Sequence, residues 1–251
     1  MEKVELTHNG NIGVLRVQRP EVHNALDWES MQSFSKLVKQ AHKSKELRAL
    51  IVTGEGRSFV SGGDLKVLAD YPKRRHGLRL SRIMSRALER LKALPIPTIA
   101  AINGPARGGG AEIAVACDLR VIAENADIGF VHSQLGITTA WGGARYLLQL
   151  VGYPKALDML ATGRVLKPQE ALSLGLVDEI VAKGGALESA KAIARQMGAH
   201  PREAVQAAKR LLKFAIAYPG AANLAESQVF ASLWDSDYRR KAVEKFLGRS
   251  K

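Results

Sequence analysis

The chain has 251 residues, 46% of them hydrophobic and 24% charged, and 37 lysines and arginines against 24 aspartates and glutamates give it a net charge of +13. That length buries a substantial core as one large domain or as a core with a helical extension, and the composition is that of a globular protein, not a disordered one. The single cysteine, Cys117, excludes an intramolecular disulfide, and no apolar run approaches the roughly 20 residues of a membrane helix.

The opening MEKVELTHNG lacks the apolar stretch of a signal peptide and the Arg/Ser bias of a transit peptide, so a cytoplasmic location is expected. Ile12 to Gln18 reads as a strand bounded by glycine and by Arg19-Pro20. Asp27 opens a helix whose apolar residues Met31, Phe34, Leu37, Val38 and Ala41 share one face. Leu47 to Gly54 reads as a buried strand that leads to the turn Ser61-Gly62-Gly63, after which Asp64 is placed to cap the next helix. A further amphipathic helix is marked by Leu80, Ile83, Met84, Ala87, Leu88 and Leu91; Pro95 and Pro97 end it before a strand at Thr98 to Ile102. That strand feeds Gly108-Gly109-Gly110 and an apolar helix. Beyond about Gly143 the pattern is almost wholly helical, with one short strand at Val177 to Val181. Strands alternating with helices predict an α/β fold with largely parallel sheets.

Positive residues are spread along the chain, with local clusters at Lys73-Arg74-Arg75-His76 and Arg239-Arg240-Lys241. No aromatic-rich RNA-binding pattern accompanies them. Such a field serves solubility and would also steer an anionic cofactor. Cys117 lies in an apolar context, AVACDLRV, and reads as a buried thiol, not a nucleophile.

Both glycine turns follow strands, and the second opens a helix. Bare N–H groups at a helix N-terminus favour developing negative charge, which is how an oxyanion hole is built. Glu112 sits alone in the apolar run GGAEIAVA, where a carboxylate is a candidate acid/base group.

These residues resemble the crotonase (enoyl-CoA hydratase/isomerase) superfamily. Its pattern F-x-x-G-x-D, followed by N-G-x-x-x-G-G-G-x-E, is matched by Phe59 to Asp64 and by Asn103 to Glu112. Arg19 to Leu26, Ala171 to Val177 and Lys245 to Leu247 extend the likeness over essentially the whole chain. The resemblance implies a spiral of strand-strand-helix turns over residues 1–195 and a helical C-terminal region, 196–251, that makes trimers or pairs of trimers and closes the active site. It implies an acyl-CoA thioester substrate, with coenzyme A present only as part of that substrate, and no membrane or nucleic-acid partner. Carried over by motif position, Gly63 and Gly109 are the oxyanion donors and Glu112 is an acid/base group. Ser61, Gly62 and Asp64 receive the adenine end of coenzyme A, Ala25 lies along the pantetheine, and Phe246 with Arg249 closes over the cofactor. No metal is implied, and no ligand-spaced Cys/His cluster is present.

The pattern departs from true hydratases at their second glutamate. Where they carry F-G-x-P-E-x-x-x-G, this chain reads Ile128-Gly129-Phe130-Val131-His132-Ser133-Gln134-Leu135-Gly136, so His132 takes the glutamate's place. The run through Phe130, Val131 and His132 to Trp141-Gly142-Gly143 looks more like ethylmalonyl-CoA decarboxylase. Trp141 then walls the acyl pocket or is a buried structural ring. Three readings stay open at this level. Hydration of an enoyl-CoA is placed first, because Glu112 is present; decarboxylation of a 2-carboxyacyl-CoA is the alternative. A non-catalytic, RNA-binding scaffold is the third, against which both glycine turns and Glu112 argue.

Overall fold

The computed structural model describes residues 2–218 and 228–230. The chain separates into two compact units, residues 1–195 and 196–251. The first begins with an antiparallel pair, β1 (Val4–Asn9) and β2 (Ile12–Val17), in which Val4 faces Val17 and Asn9 faces Ile12. Helix α1 (Trp28–Lys43) then leads to β3 (Ala49–Gly54), which lies parallel to β2. Helices α2 (Leu65–Leu68) and α3 (Arg74–Ala93) precede β4 (Thr98–Ile102), again parallel to its neighbour. Next come β5 (Ala106–Arg107), α4 (Gly109–Ala116), β6 (Leu119–Ala123) and β7 (Ile128–Gly129). The remaining elements are α5 (Gly143–Val151), α6 (Tyr153–Thr162), β8 (Val165–Leu166), α7 (Pro168–Ser173), β9 (Glu179–Val181) and α8 (Ala186–Gly198). Helix α9 (Arg202–Ala217) belongs to the second unit.

Six strands form one sheet in the order β1-β2-β3-β4-β6-β9, and β5-β7-β8 form a smaller one. Among the described residues only β1–β2 and β7–β8 run antiparallel, as the alternation of strands and helices predicted. Strands β3 and β4 are buried along their whole length, which is why they read as unbroken apolar runs. Five strands, β1, β5, β6, β7 and β8, lie outside those read from the sequence. β1 is a half-exposed edge strand with alternating polar residues, and β8 is only two residues long. The strand expected at Val177 to Val181 begins later, at Glu179.

The segment between β2 and α1 fixes the backbone that approaches the site. Asn24, fully buried and in the left-handed region at φ 57°, accepts from the Arg19 N–H at 2.9 Å. It also donates to the carbonyls of Glu55 and Ser58, at 2.9 and 2.7 Å. The Arg19 guanidinium reaches both helix caps, Asp27 at 3.3 Å and Asp64 at 3.0 Å. Asp27 caps α1 by accepting from the Ser30 N–H at 2.8 Å, and Asp64 caps α2 through the Val67 N–H. One arginine thus ties together the two segments that flank the first glycine turn.

Burial pushes the Asp27 carboxyl up, but Lys3 at 2.7 Å, the backbone and hydroxyl of Ser30 and the charge of Arg19 outweigh it and hold its pKa at about 2, below the ordinary aspartate value of 3.8. A carboxyl depressed on folding contributes stability that is full above its unfolded pKa and is lost as pH falls through the folded one. Asp27→Asn keeps a capping side chain but not the charge, and is expected to lower stability to urea by about 1–2 kcal/mol at neutral pH. The gap between the two proteins should close as pH falls from about 4 to about 2. A gap that stays constant across that window would show that the charge is not its source.

Candidate active site

The first glycine turn is built where the chain after β3 bends past Ser58 and Phe59 into Gly62, whose φ is 102°. The Leu26 N–H donates to the Gly62 carbonyl at 2.8 Å, and the Asp64 N–H donates to the Leu26 carbonyl at 2.9 Å. Gly63 sits between these two bonds, and its own N–H has no partner among the described residues. The side chain of Asn103 sets the approach, donating to Gly56 and Ser58 carbonyls at 2.9 and 3.2 Å.

The second turn needs glycine twice for steric reasons. A Cβ on Gly110 would lie 1.8 Å from the Val60 carbonyl oxygen, so the backbone of α4 presses directly on the first turn. A Cβ on Gly109 would fall 2.2 Å from the Trp141 ring. The two turns themselves touch, since a Cβ on Gly62 would come within 3.2 Å of the Gly109 nitrogen. The Gly109 N–H, in the first turn of α4, also lacks a partner among the described residues. Two unpaired N–H groups from adjoining turns therefore border one cavity, as an oxyanion requires.

Every residue of α4 is buried, and Glu112 is only 1% exposed. A buried carboxylate needs donors, and four groups supply them. Glu112 Oε2 accepts from the N–H groups of Trp141 at 2.9 Å and Gly143 at 2.8 Å, while Oε1 accepts from Ala140 N–H at 3.3 Å. His132 Nε2 lies 3.1 Å from Oε1. Because the carboxylate accepts there, Nε2 carries the hydrogen, and Nδ1 is left buried without a partner among the described residues. His132 rides on the short helical turn Val131–Leu135, closed by Gly136 in the left-handed region.

These groups surround a cavity of about 280 Å³. Ser61, Gly62, Gly63, Gly109, Glu112, His132 and Trp141 line it, so seven of the residues singled out from the sequence meet in one place. Ala25 and Asp64 do not line it. Ala25 is buried, and the Asp64 side chain is committed to Arg19 and its cap. Phe246 and Arg249 lie outside the described residues. The sequence reading missed the apolar walls Leu65, Leu68, Leu80 and Ile137, and the donors Ala140 and Gly143. Gly143 did leave a signal in the Trp-Gly-Gly run, since a Cβ there would sit 2.4 Å from Glu112 Cγ.

Among the described residues no group of His, Cys, Asp and Glu side chains is arranged to hold a metal, and no helix is long and apolar enough to cross a membrane.

Comparison with known proteins agrees with this geometry. The model of the family described as Enoyl-CoA hydratase/isomerase matches residues 7–251. Ethylmalonyl-CoA decarboxylase of Gallus gallus is 32% identical over 240 residues, spanning 94% of this chain and 80% of that protein. Short-chain-enoyl-CoA hydratase of Clostridium acetobutylicum is 31% identical over 253 residues, spanning 100% and 97%. A crystal structure of enoyl-CoA hydratase from Bacillus anthracis superposes with a TM-score of 0.93 at 27% identity, over 99% of this chain and 97% of that one. With both glycine turns, the α4 carboxylate and the mixed α/β fold in place, the chain belongs to the enoyl-CoA hydratase/isomerase family.

Proposed function

We propose that this protein binds a 2-carboxyacyl-CoA and releases carbon dioxide through a thioester enolate whose oxygen is held by the N–H groups of Gly63 and Gly109. The observation that carries this choice is the state of Glu112. Both its oxygens are occupied by backbone donors and by His132, so it is not free to take a proton from water. Hydration asks for a water held between two acid/base groups, and a direct 3.1 Å contact between Glu112 and His132 leaves no bridging place for one. Decarboxylation needs no base. The bond from Cα to the carboxylate breaks, its electron pair passes to Cα and the thioester oxygen, carbon dioxide leaves, and a proton is added at Cα.

Each oxyanion donor contributes roughly 3 kcal/mol to such a step, by analogy with measured holes. His132 is suited to handle the substrate carboxylate and the returning proton only when both its nitrogens carry hydrogen: Nδ1–H, which has no partner among the described residues, then donates to the carboxylate and supplies the proton at Cα, while Glu112 accepts from Nε2. The apolar walls around it keep water from the enolate. The likeness to ethylmalonyl-CoA decarboxylase supports the same substrate class. One observation favours hydration as a second reading: Glu112 and His132 face one cavity beside the glycine turns, so a turn of the imidazole would open a water site between them. We extend the proposal to a cytoplasmic trimer or pair of trimers in which coenzyme A is bound only as part of the substrate. Exposed Leu148, Tyr153 and Leu157 on α5 and α6 offer an apolar face for a second copy to cover.

Gly63→Pro removes one donor, and its Cβ would lie 2.8 Å from Leu68 Cδ1, the far end of a flexible side chain, and 3.8 Å from Met31 Cε. Turnover is expected to fall at least about a hundredfold, with the affinity for acyl-CoA nearly unchanged. A folded variant, judged by circular dichroism, that turns over normally would refute the oxyanion assignment.

The choice of reaction is tested with ethylmalonyl-CoA or methylmalonyl-CoA and, separately, crotonyl-CoA. Carbon dioxide release without hydration is expected of the parent protein. His132→Gln should lower that release about a hundredfold or more, whereas Glu112→Gln should cost about tenfold or less, together with a fall in thermal midpoint as a backbone donor loses its acceptor. Hydration of crotonyl-CoA by the parent, abolished in both variants, would move the assignment to the hydratase reading.

A further inference from the structure

A second cavity, of about 440 Å³, lies between α1 and α3 and shares no lining residue with the first. It is lined by Gln32, Ser35, Lys36 and Lys39 from α1 and by Arg82, Ile83, Arg86 and Arg90 from α3. Among the described residues none of these five cations makes an ion pair. Elsewhere in the same unit Arg16, Arg19, Arg107, Arg120 and Arg164 all have carboxylate partners. The two helices together contain two glutamates. Glu29 pairs with Lys3 at 2.5 Å, and Glu89 does not line the groove.

We infer that this groove is a binding site for a compact, multiply phosphorylated small molecule free in solution, carrying three or more negative charges. Arg82, Arg86 and Arg90 recur every four residues, so they stand about 6 Å apart and span about 12 Å along α3. The lysines of α1 face them across the gap. Five like charges held this close repel one another, and an anion in the groove relieves that repulsion while gaining fork-shaped guanidinium contacts. The Ser35 hydroxyl and the Gln32 amide add neutral polar groups to the lining. The volume lies in the range of small-molecule sites, roughly 300–1,000 Å³. Two other classes of occupant fit less well. The groove has no aromatic residue on which a base could stack, and its one large apolar side chain, Ile83, is half-buried, where a membrane-binding face needs exposed apolar residues.

The test uses the full chain with inorganic tripolyphosphate and inositol hexakisphosphate as probes, by calorimetry at about 0.15 M ionic strength. Saturable one-to-one binding in the micromolar range is expected, not displaced by free coenzyme A and weakening as salt rises. The triple variant Lys36→Gln, Arg82→Gln, Arg86→Gln should bind at least about tenfold more weakly. A control with equal charge loss, Lys73→Gln, Arg74→Gln, Arg75→Gln, at the start of the same helix, should bind within about twofold of the parent. Circular dichroism and thermal midpoints confirm that both are folded. Equal weakening in the two variants, displacement by coenzyme A, or no saturable binding would overturn the proposal. So would groove-dependent binding of single-stranded RNA or of anionic lipid vesicles with none of either probe.

Discussion

Everything in the site depends on two stretches of backbone being pressed together without side chains between them. The position a Cβ would take on Gly110 is 1.8 Å from the Val60 carbonyl oxygen, and that on Gly62 is 3.2 Å from the Gly109 nitrogen. Any residue but glycine at the first of these would push α4 away from the chain that follows β3. The contact puts the first turn of α4 beside the Gly62–Gly63 bend, so two N–H groups with no internal partner open on one cavity. The rest of the unit serves to hold that contact. The parallel strands β3 and β4 set the distance between the segments, while Asn24, Asn103 and Arg19 use side-chain hydrogen bonds to fix loops that have no ladder of their own.

The same close approach governs the carboxylate. Glu112 lies one turn into α4, and its side chain reaches the segment before α5, where three backbone N–H groups close on it. That segment is also held from α3, since the Ser81 hydroxyl donates to the Ala140 carbonyl at 2.8 Å. Trp141 is thereby laid against Gly109, and the wall of the cavity and the donor beneath it form one packed unit. A carboxylate held in this way orders the pocket and orients His132.

The excess positive charge is unevenly arranged. Buried or half-buried arginines are spent on structure: Arg120, 2% exposed, bonds the Leu176, Cys117 and Asp118 carbonyls at 2.8–3.2 Å and Asp178 at 2.9 Å, and Arg107 forks onto Asp127. Five cations with no ion pair among the described residues line the groove between α1 and α3. Composition alone does not separate these two populations, because a count of lysines and arginines is blind to which carboxylates lie near them in space.

What the amino-acid sequence determined by itself is whatever depends on neighbours a few residues away. The apolar runs of β2, β3 and β4, the caps Asp27 and Asp64, the proline stop before β4 and both glycine turns were legible, because each is set by local periodicity, backbone freedom or a side chain bonding its own helix. Motif order carried the family and located Glu112 and His132 as neighbours. Tertiary structure alone decided what those two do to each other and to the chain. Glu112 meets donors about thirty residues ahead of it, and β1, whose residues alternate like a solvated loop, becomes a strand only by pairing with β2. The basic groove joins helices whose lining residues lie more than forty positions apart. Such contacts are fixed by the packing of whole elements, and no short stretch of sequence contains both sides of them.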